Sequence, residues 1–259
     1  MTERIIAKKE GAVGWLIFNN PERRNAVSVD MWEAMPQVLD GFDADREIRM
    51  VVLAGAGDKA FVSGADISQF ENQRSSKEAV QHYEEIAEAA QARLQTLDKP
   101  VLAMIRGYCL GAGVNIANVC DLRIAGDDAR FGIPAAKMGL GYRASSMKNL
   151  VDTVGAPYAR EIMLTGRQFS AQEAKDMGLV HHVVPVSDLE RFTREYCGQI
   201  AANAPLTMRA AKRIVREILK SDFDAALCKS WVRECFESED YTEGRRAFME
   251  KRKPVFKGS

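Results

Sequence analysis

The sequence predicts an α/β fold, and three observations carry that prediction. Short apolar strands at Met50–Ala54, Val101–Ile105 and Leu122–Ala125 are separated by segments with helical periodicity. Strands spaced in this way imply repeated right-handed crossovers. After about Ser187 the pattern changes to helices alone. At 259 residues, 46% hydrophobic and 28% charged, the chain has the composition of a globular protein that buries a sizeable core without staples.

Taken in order, the elements begin with a β-hairpin. Ile5 and Ala7 lead into a Glu10-Gly11 turn, after which Val13, Trp15 and Ile17 alternate with Gly14, Leu16 and Phe18. Asn19-Asn20-Pro21 ends that strand. Ser28 is placed to cap a helix carrying Met31, Trp32, Met35, Val38, Leu39 and Phe42 on one face, with a kink expected at Pro36. Met50–Ala54 follows, then Gly55-Ala56-Gly57. That glycine pair fits a loose dinucleotide pattern, but Phe61-Val62-Ser63-Gly64 reads as a strand and turn where a helix is required. A long helix is predicted over Lys77–Leu97, burying Tyr83, Ile86, Ala87, Ala90, Leu94 and Leu97. Beyond Val101–Ile105 come a glycine turn, a helix and the strand Leu122–Ala125. Ser170…Glu173 and Ser187…Glu190 both fit the capping box. Helices over Phe223–Glu237 and Tyr241–Arg252 close the chain. The expected organisation is a core over 1–187 and a helical region over 188–259.

Charge and composition narrow the function. Lys+Arg and Asp+Glu both number 36, so no basic excess favours nucleic acid. No run approaches the roughly 18 apolar residues that span a bilayer. The N-terminal segment is too charged for a signal peptide. Five cysteines without a C-x-x-C pair and only three histidines give no metal-ligand pattern, and reduced thiols in the cytoplasm are the expectation. His82 reads as solvated, and His181-His182 as structural.

Two segments carry chemistry. Phe61-Val62-Ser63-Gly64-Ala65-Asp66-Ile67 joins a strand to a polar stretch that runs through Glu71 to Ser75-Ser76 and reads as mobile. Lys99 to Gly113 drives a strand through Arg106-Gly107-Tyr108-Cys109-Leu110-Gly111 into a helix. Small residues allow a ligand close to the backbone, and amides at a helix N-terminus stabilise developing negative charge. Each segment alone also fits a tight packing turn.

Together the two segments resemble the crotonase superfamily, the enoyl-CoA hydratase/isomerase family. The resemblance runs from Asn19-Pro21-Arg24-Asn25-Ala26 to Phe248-Met249-Glu250-Lys251-Arg252-Lys253, through Cys120–Ala125, Phe131-Gly132-Ile133-Pro134 and Gly166–Ala174. It implies a spiral of ββα turns with a helical C-terminal trimerisation region, assembled as a homotrimer or homohexamer. It implies an acyl-CoA thioester as substrate, with coenzyme A part of that substrate and no separate cofactor. By motif position, the amides of Ala65 and Ala112 hold the thioester oxygen as an enolate forms. Arg24 and Lys251 fall at CoA phosphate or adenine contacts, Lys251 potentially from a neighbouring subunit. The backbone at Ser63 and Asp66 and the Phe248 ring fall at the nucleotide end.

The chain departs from its relatives where hydration chemistry sits. The two glutamates that hydratases of this family use correspond to Asn115 and Ala135, neither of which is a base near neutral pH. An oxyanion site without that pair still suits decarboxylation of a malonyl-type thioester, which makes the enolate by losing carbon dioxide. Methylmalonyl-CoA decarboxylases resemble the chain at Met138-Gly139-Leu140-Gly141-Tyr142 and at Glu239–Gly244, though their Gly-His-Asp histidine is Ala65 here. Tyr142 is then an acyl-group contact or a packing aromatic. Arg143 is a carboxylate contact or a structural ion pair. Asn115 orients a water or carbonyl, or caps a turn. Enoyl-CoA hydration or isomerisation through other residues is one alternative, and a non-catalytic acyl-CoA-binding subunit another.

Overall fold

The computed structural model describes residues 2–66 and 77–259. Ile67, Glu71 and the Ser75-Ser76 stretch lie outside them. β1 (Ile5–Glu10) and β2 (Val13–Phe18) form the hairpin read from the sequence, with Glu10 opposite Val13. α1 (Val29–Ala44) follows and buries the anticipated face, Met31 to Phe42. Two details of that helix differ from expectation. Ser28 occupies the N-cap, but its hydroxyl donates to the Asp30 carboxylate and accepts from no helix amide. The helix also continues through Pro36: burial of Met35, Val38 and Leu39 outweighs one missing hydrogen bond.

Thereafter the chain repeats a strand–strand–helix unit. β3 (Met50–Gly55) and β4 (Ala60–Val62) precede α2 (Lys77–Thr96). β5 (Val101–Ile105) and β6 (Tyr108–Leu110) precede α3 (Ala112–Val119). β7 (Leu122–Gly126) and β8 (Arg130–Gly132) precede α4 (Ala144–Thr165). β9 (Phe169–Ser170), α5 (Ala171–Asp176) and β10 (His182–Val184) complete the core. The first strand of each unit joins a six-stranded sheet of order β1-β2-β3-β5-β7-β10, and the second joins a four-stranded sheet of order β4-β6-β8-β9. The three-residue β6 and β8 were not anticipated, because so short a strand shows no alternation. β3 leads through a turn into β4 with no helix between, so the glycine pair at Gly55 and Gly57 opens no dinucleotide site.

Side-chain alternation along β3 buries both faces of the large sheet. Val51 and Leu53 join a core with α1, α2, α3 and the small sheet. Met50, Val52 and Ala54 join a second core with Trp15, Leu102 and Ile124. α6 (Leu189–Ala201) covers that second face with Leu189 and Cys197. Its N-cap is Asp188, whose carboxylate pairs with Arg191 at 2.9 Å; the Ser187 capping box does not form. The Ser170–Glu173 box does, with both reciprocal bonds.

Three helices follow: α7 (Pro205–Ile218), α8 (Ala225–Phe236) and α9 (Glu239–Met249). Asp224 accepts from the Ala226 and Leu227 amides and so starts α8 two residues later than predicted. Ser238 accepts from Tyr241 N–H and starts α9 earlier. On α7 and at its end, Val215, Ile218 and Leu219 face solvent in the single chain, 55%, 52% and 51% exposed. No helix among the described residues is long and apolar enough to cross a membrane.

Candidate active site

The register of the small sheet brings the chemistry together. Ala60 lies opposite Tyr108 in β4 and β6, and Cys109 opposite Phe131 in β6 and β8. All three strands run parallel, so the segments leaving them converge at one end: Ser63–Ala65, Gly111–Ala112 and Ile133–Ala135. A cavity of about 260 Å³ opens there and is lined by Ser63, Ala65, Ala112, Asn115, Tyr142 and Arg143, among others. Five of the six were the catalytic candidates read from the sequence.

Local hydrogen bonding leaves two amides pointing free. Val27 N–H donates to Gly64 O at 2.9 Å, and Asp66 N–H donates to Val27 O at 3.0 Å. This parallel bridge uses the groups on either side of Ala65 and turns the Ala65 N–H away. The loop that presents Val27 is pinned by the fully buried Asn25, whose Nδ2 donates to Ala56 O and Ala60 O at 2.9 and 2.8 Å. Across the cavity, Gly111 N–H donates to Gly132 O at 2.9 Å, and Gly111 adopts φ 51°, which only glycine takes without strain. Ala112 is therefore the first residue of α3, where amides lack intrahelical acceptors. Neither the Ala65 nor the Ala112 N–H donates to a protein acceptor among the described residues. α3 sits tightly on β4: a Cβ on Gly113 would meet Val62 O at 2.2 Å. The other end of α3 is held by the buried Arg123 guanidinium, which donates to Ala117, Cys120 and Leu179 carbonyls at 3.0, 2.6 and 2.7 Å.

Opposite the amides, the Tyr142 hydroxyl donates to Asn115 Oδ1. Burial pushes the Tyr142 pKa above its ordinary value, against the opposing effects of the Asn115 bond and the Arg143 charge. The phenol is therefore protonated throughout the physiological range. Asn115 does not cap a turn with its side chain; it engages the tyrosine. Ala135, at the second glutamate position, presents only a methyl to the cavity. Sequence reasoning missed Trp32 and Tyr83, whose Nε1 and hydroxyl join at 3.0 Å in the cavity wall. It also missed Glu84, the one acidic residue among the described lining positions. Both α2 residues sit in the predicted helix, whose period places Tyr83 on the buried face but assigns neither of them to a cavity.

The nucleotide-end candidates are dispersed. Ser63 lines the cavity mouth, and its N–H donates to Arg24 O at 3.1 Å. The Arg24 guanidinium lies over the Tyr108 ring, 4.7 Å from its centroid, in a separate pocket shared with Lys59 and Arg130. Asp66 is buried and paired with Arg23 at 3.3 Å, so it supplies backbone to the loop rather than a free carboxylate. Phe248 is 83% exposed at the end of α9 and, like Lys251 just beyond it, lines no part of the cavity in the single chain. His181 Nδ1 accepts from Arg123 N–H at 3.1 Å, and His182 stacks near Phe192 and Tyr196, in keeping with structural roles. No cluster of metal-ligating side chains occurs among the described residues.

Two free amides face one cavity from separate turns of a ββα spiral. Residues 8–259 match the family model described as enoyl-CoA hydratase/isomerase. The chain belongs to the enoyl-CoA hydratase/isomerase family. It is 35% identical to the short-chain-enoyl-CoA hydratase of Clostridium acetobutylicum, over 96% of this chain and 95% of that one. It is 31% identical to the crotonyl-CoA hydratase of Syntrophomonas wolfei, over 98% of each. Among solved structures, an enoyl-CoA hydratase/carnithine racemase from Magnetospirillum magneticum superposes with a TM-score of 0.94 at 32% identity, covering 100% of this chain and 97% of that one. The fold is thus that of the family, and the protein is a family enzyme acting on acyl-CoA.

Proposed function

We propose that the protein decarboxylates a malonyl-type acyl-CoA through a thioester enolate held by Ala65 and Ala112. The observation that carries this reading is the pair of amides with no protein acceptor, facing a cavity whose two glutamate positions are Asn115 and Ala135. The bond between the α-carbon and the carboxylate breaks, and its electron pair moves into the enolate. The enolate oxygen accepts from both amides, which bind it more strongly than the neutral carbonyl. Carbon dioxide leaves, and the α-carbon takes the proton of the Tyr142 hydroxyl, which solvent then restores. Asn115 holds that hydroxyl in place. No base is needed to remove an α-proton, which fits the missing carboxylates.

Arg24, in the neighbouring pocket with Lys59 and Arg130, would meet the phosphates of CoA, and the backbone at Ser63 and Asp66 would lie at its nucleotide end. Phe248 and Lys251 would act on a neighbouring subunit's nucleotide, and the exposed apolar side chains of α7 to α9 would form the interface of a homotrimer or homohexamer.

One alternative has its own support. The relatives named above are hydratases, and Glu84 borders the cavity where a base could reach the acyl group. Incubation with methylmalonyl-CoA and with crotonyl-CoA separates the readings. Carbon dioxide release from the first supports decarboxylation. Water addition to the second, lost in Glu84→Gln, replaces it with hydration.

A further inference from the structure

The acyl cavity does not end at Tyr142. A second cavity of about 90 Å³ lies beyond it, between α2 and α4, and shares Gln91, Arg143 and Ser146 with the first. The inner walls of the first cavity are mainly apolar, including Trp32, Ala87, Ile133 and Leu140. The shared boundary is polar, and its polar groups are incompletely satisfied. Ser146 is only 4% exposed, yet its hydroxyl has no protein partner among the described residues. Gln91 is 8% exposed; its Nε2 donates to Ala87 O at 3.0 Å, and its Oε1 accepts nothing. The Arg143 guanidinium makes one hydrogen bond, Nη1 to Glu84 O at 2.9 Å, and no ion pair among the described residues. Glu84 and Glu88 border the two cavities from exposed positions on α2, but neither carboxylate comes within 4.0 Å of Arg143.

At the wall shared by the two cavities, the Ser146 hydroxyl and the Arg143 guanidinium are donors with no carboxylate partner among the described residues. A carboxylate accepts from both, and an arginine fork is well matched to it. We infer that the acyl chain of the substrate ends in a carboxylate held by Arg143 and Ser146 at the junction of the two cavities. The inference rests on the cavity being the acyl site, and it adds the class of acyl group: one that ends in a carboxylate besides the α-carboxylate that is lost, so that decarboxylation leaves the half-thioester of a dicarboxylic acid, with its apolar methylenes against Trp32 and Ile133.

Equilibrium binding of saturated, unreactive thioesters tests this apart from any turnover. Hexanoyl-CoA, 6-hydroxyhexanoyl-CoA and the half-thioesters of dicarboxylic acids from succinyl- to suberoyl-CoA are the probes. At least one dicarboxylic probe should bind about tenfold or more tightly than the unsubstituted thioester of equal length, since charge-assisted hydrogen bonds are the strong ones. That ratio should fall towards one in Arg143→Met and shrink in Ser146→Ala. Equal or weaker binding of every dicarboxylic probe by the unaltered protein overturns the inference, as does a preference that survives Arg143→Met. Should no acyl-CoA bind at all, the acyl-site reading fails with it; should hexanoyl-CoA bind as well as its carboxylated counterparts, only the present inference falls.

Discussion

The Tyr142 hydroxyl donates to Asn115 Oδ1 inside the cavity onto which the Ala65 and Ala112 amides open. A phenol raised in pKa by burial gives no base near neutrality, but it is a proton donor to a carbanion.

Replacing Tyr142 with Phe keeps the ring and removes the proton. Turnover of a malonyl-type thioester should drop by about 10²-fold, while the dissociation constant for CoA changes little. Steady-state kinetics beside CoA binding make the comparison; an unchanged rate removes Tyr142 from the mechanism.

Restoring both carboxylates, Asn115→Glu with Ala135→Glu, should confer hydration. Crotonyl-CoA hydration is expected to rise by about 10²-fold or more over the unaltered protein, since a paired acid and base supply that order of acceleration. A wild-type protein that already hydrates, with no gain in the double variant, counts against the missing-carboxylate argument.

α3 owes its position to close contact with β4. Gly113→Ala puts a methyl 2.2 Å from Val62 O, so the helix must shift and carry the Ala112 amide with it. A stability loss of about 1–3 kcal/mol is expected from such overpacking. Loss of one oxyanion donor should also lower turnover by about 10²-fold. Urea unfolding gives the first quantity and saturating kinetics on the folded variant the second.

Stability should depend on pH through His181. Burial is the main cause that lowers its pKa below the ordinary 6.5, with Arg123 and His182 adding repulsion. Below pH 6.5 the unfolded chain binds a proton that the folded chain resists. The contribution of this group is therefore complete above pH 6.5 and declines as pH falls towards its lower folded value. Urea midpoints between pH 7.5 and about 5 should fall, and His181→Gln should flatten that slope.

How far the sequence reveals this site follows from where its determinants lie. Ala65 and Ala112 are singled out by motif position in the family resemblance, and the Gly64 and Gly111 turns beside them are local features of the chain. The repeat of strand and helix is legible at β3, β5 and β7, where five or six apolar residues follow one another. The small sheet is not, since β6 and β8 are three residues each and gain their meaning from register. Gln91 and Ser146 are invisible for a related reason. They come from α2 and α4, and only packing of those helices leaves their polar groups unpaired at a cavity wall. Ser28 and Ser187 show the opposite error: the capping pattern is present, but Ser28 donates to Asp30 without accepting from a helix amide, and the helix after Ser187 starts one residue later, at the N-cap Asp188.

The central claim is that the two free amides hold an enolate formed by loss of carbon dioxide. It is tested most directly by mass spectrometry of a malonyl-type acyl-CoA turned over in deuterium oxide. The prediction is loss of carbon dioxide with one deuterium retained at the α-carbon of the product thioester. An intact malonyl-type thioester, alongside an enoyl-CoA that gains water under the same conditions, would contradict it.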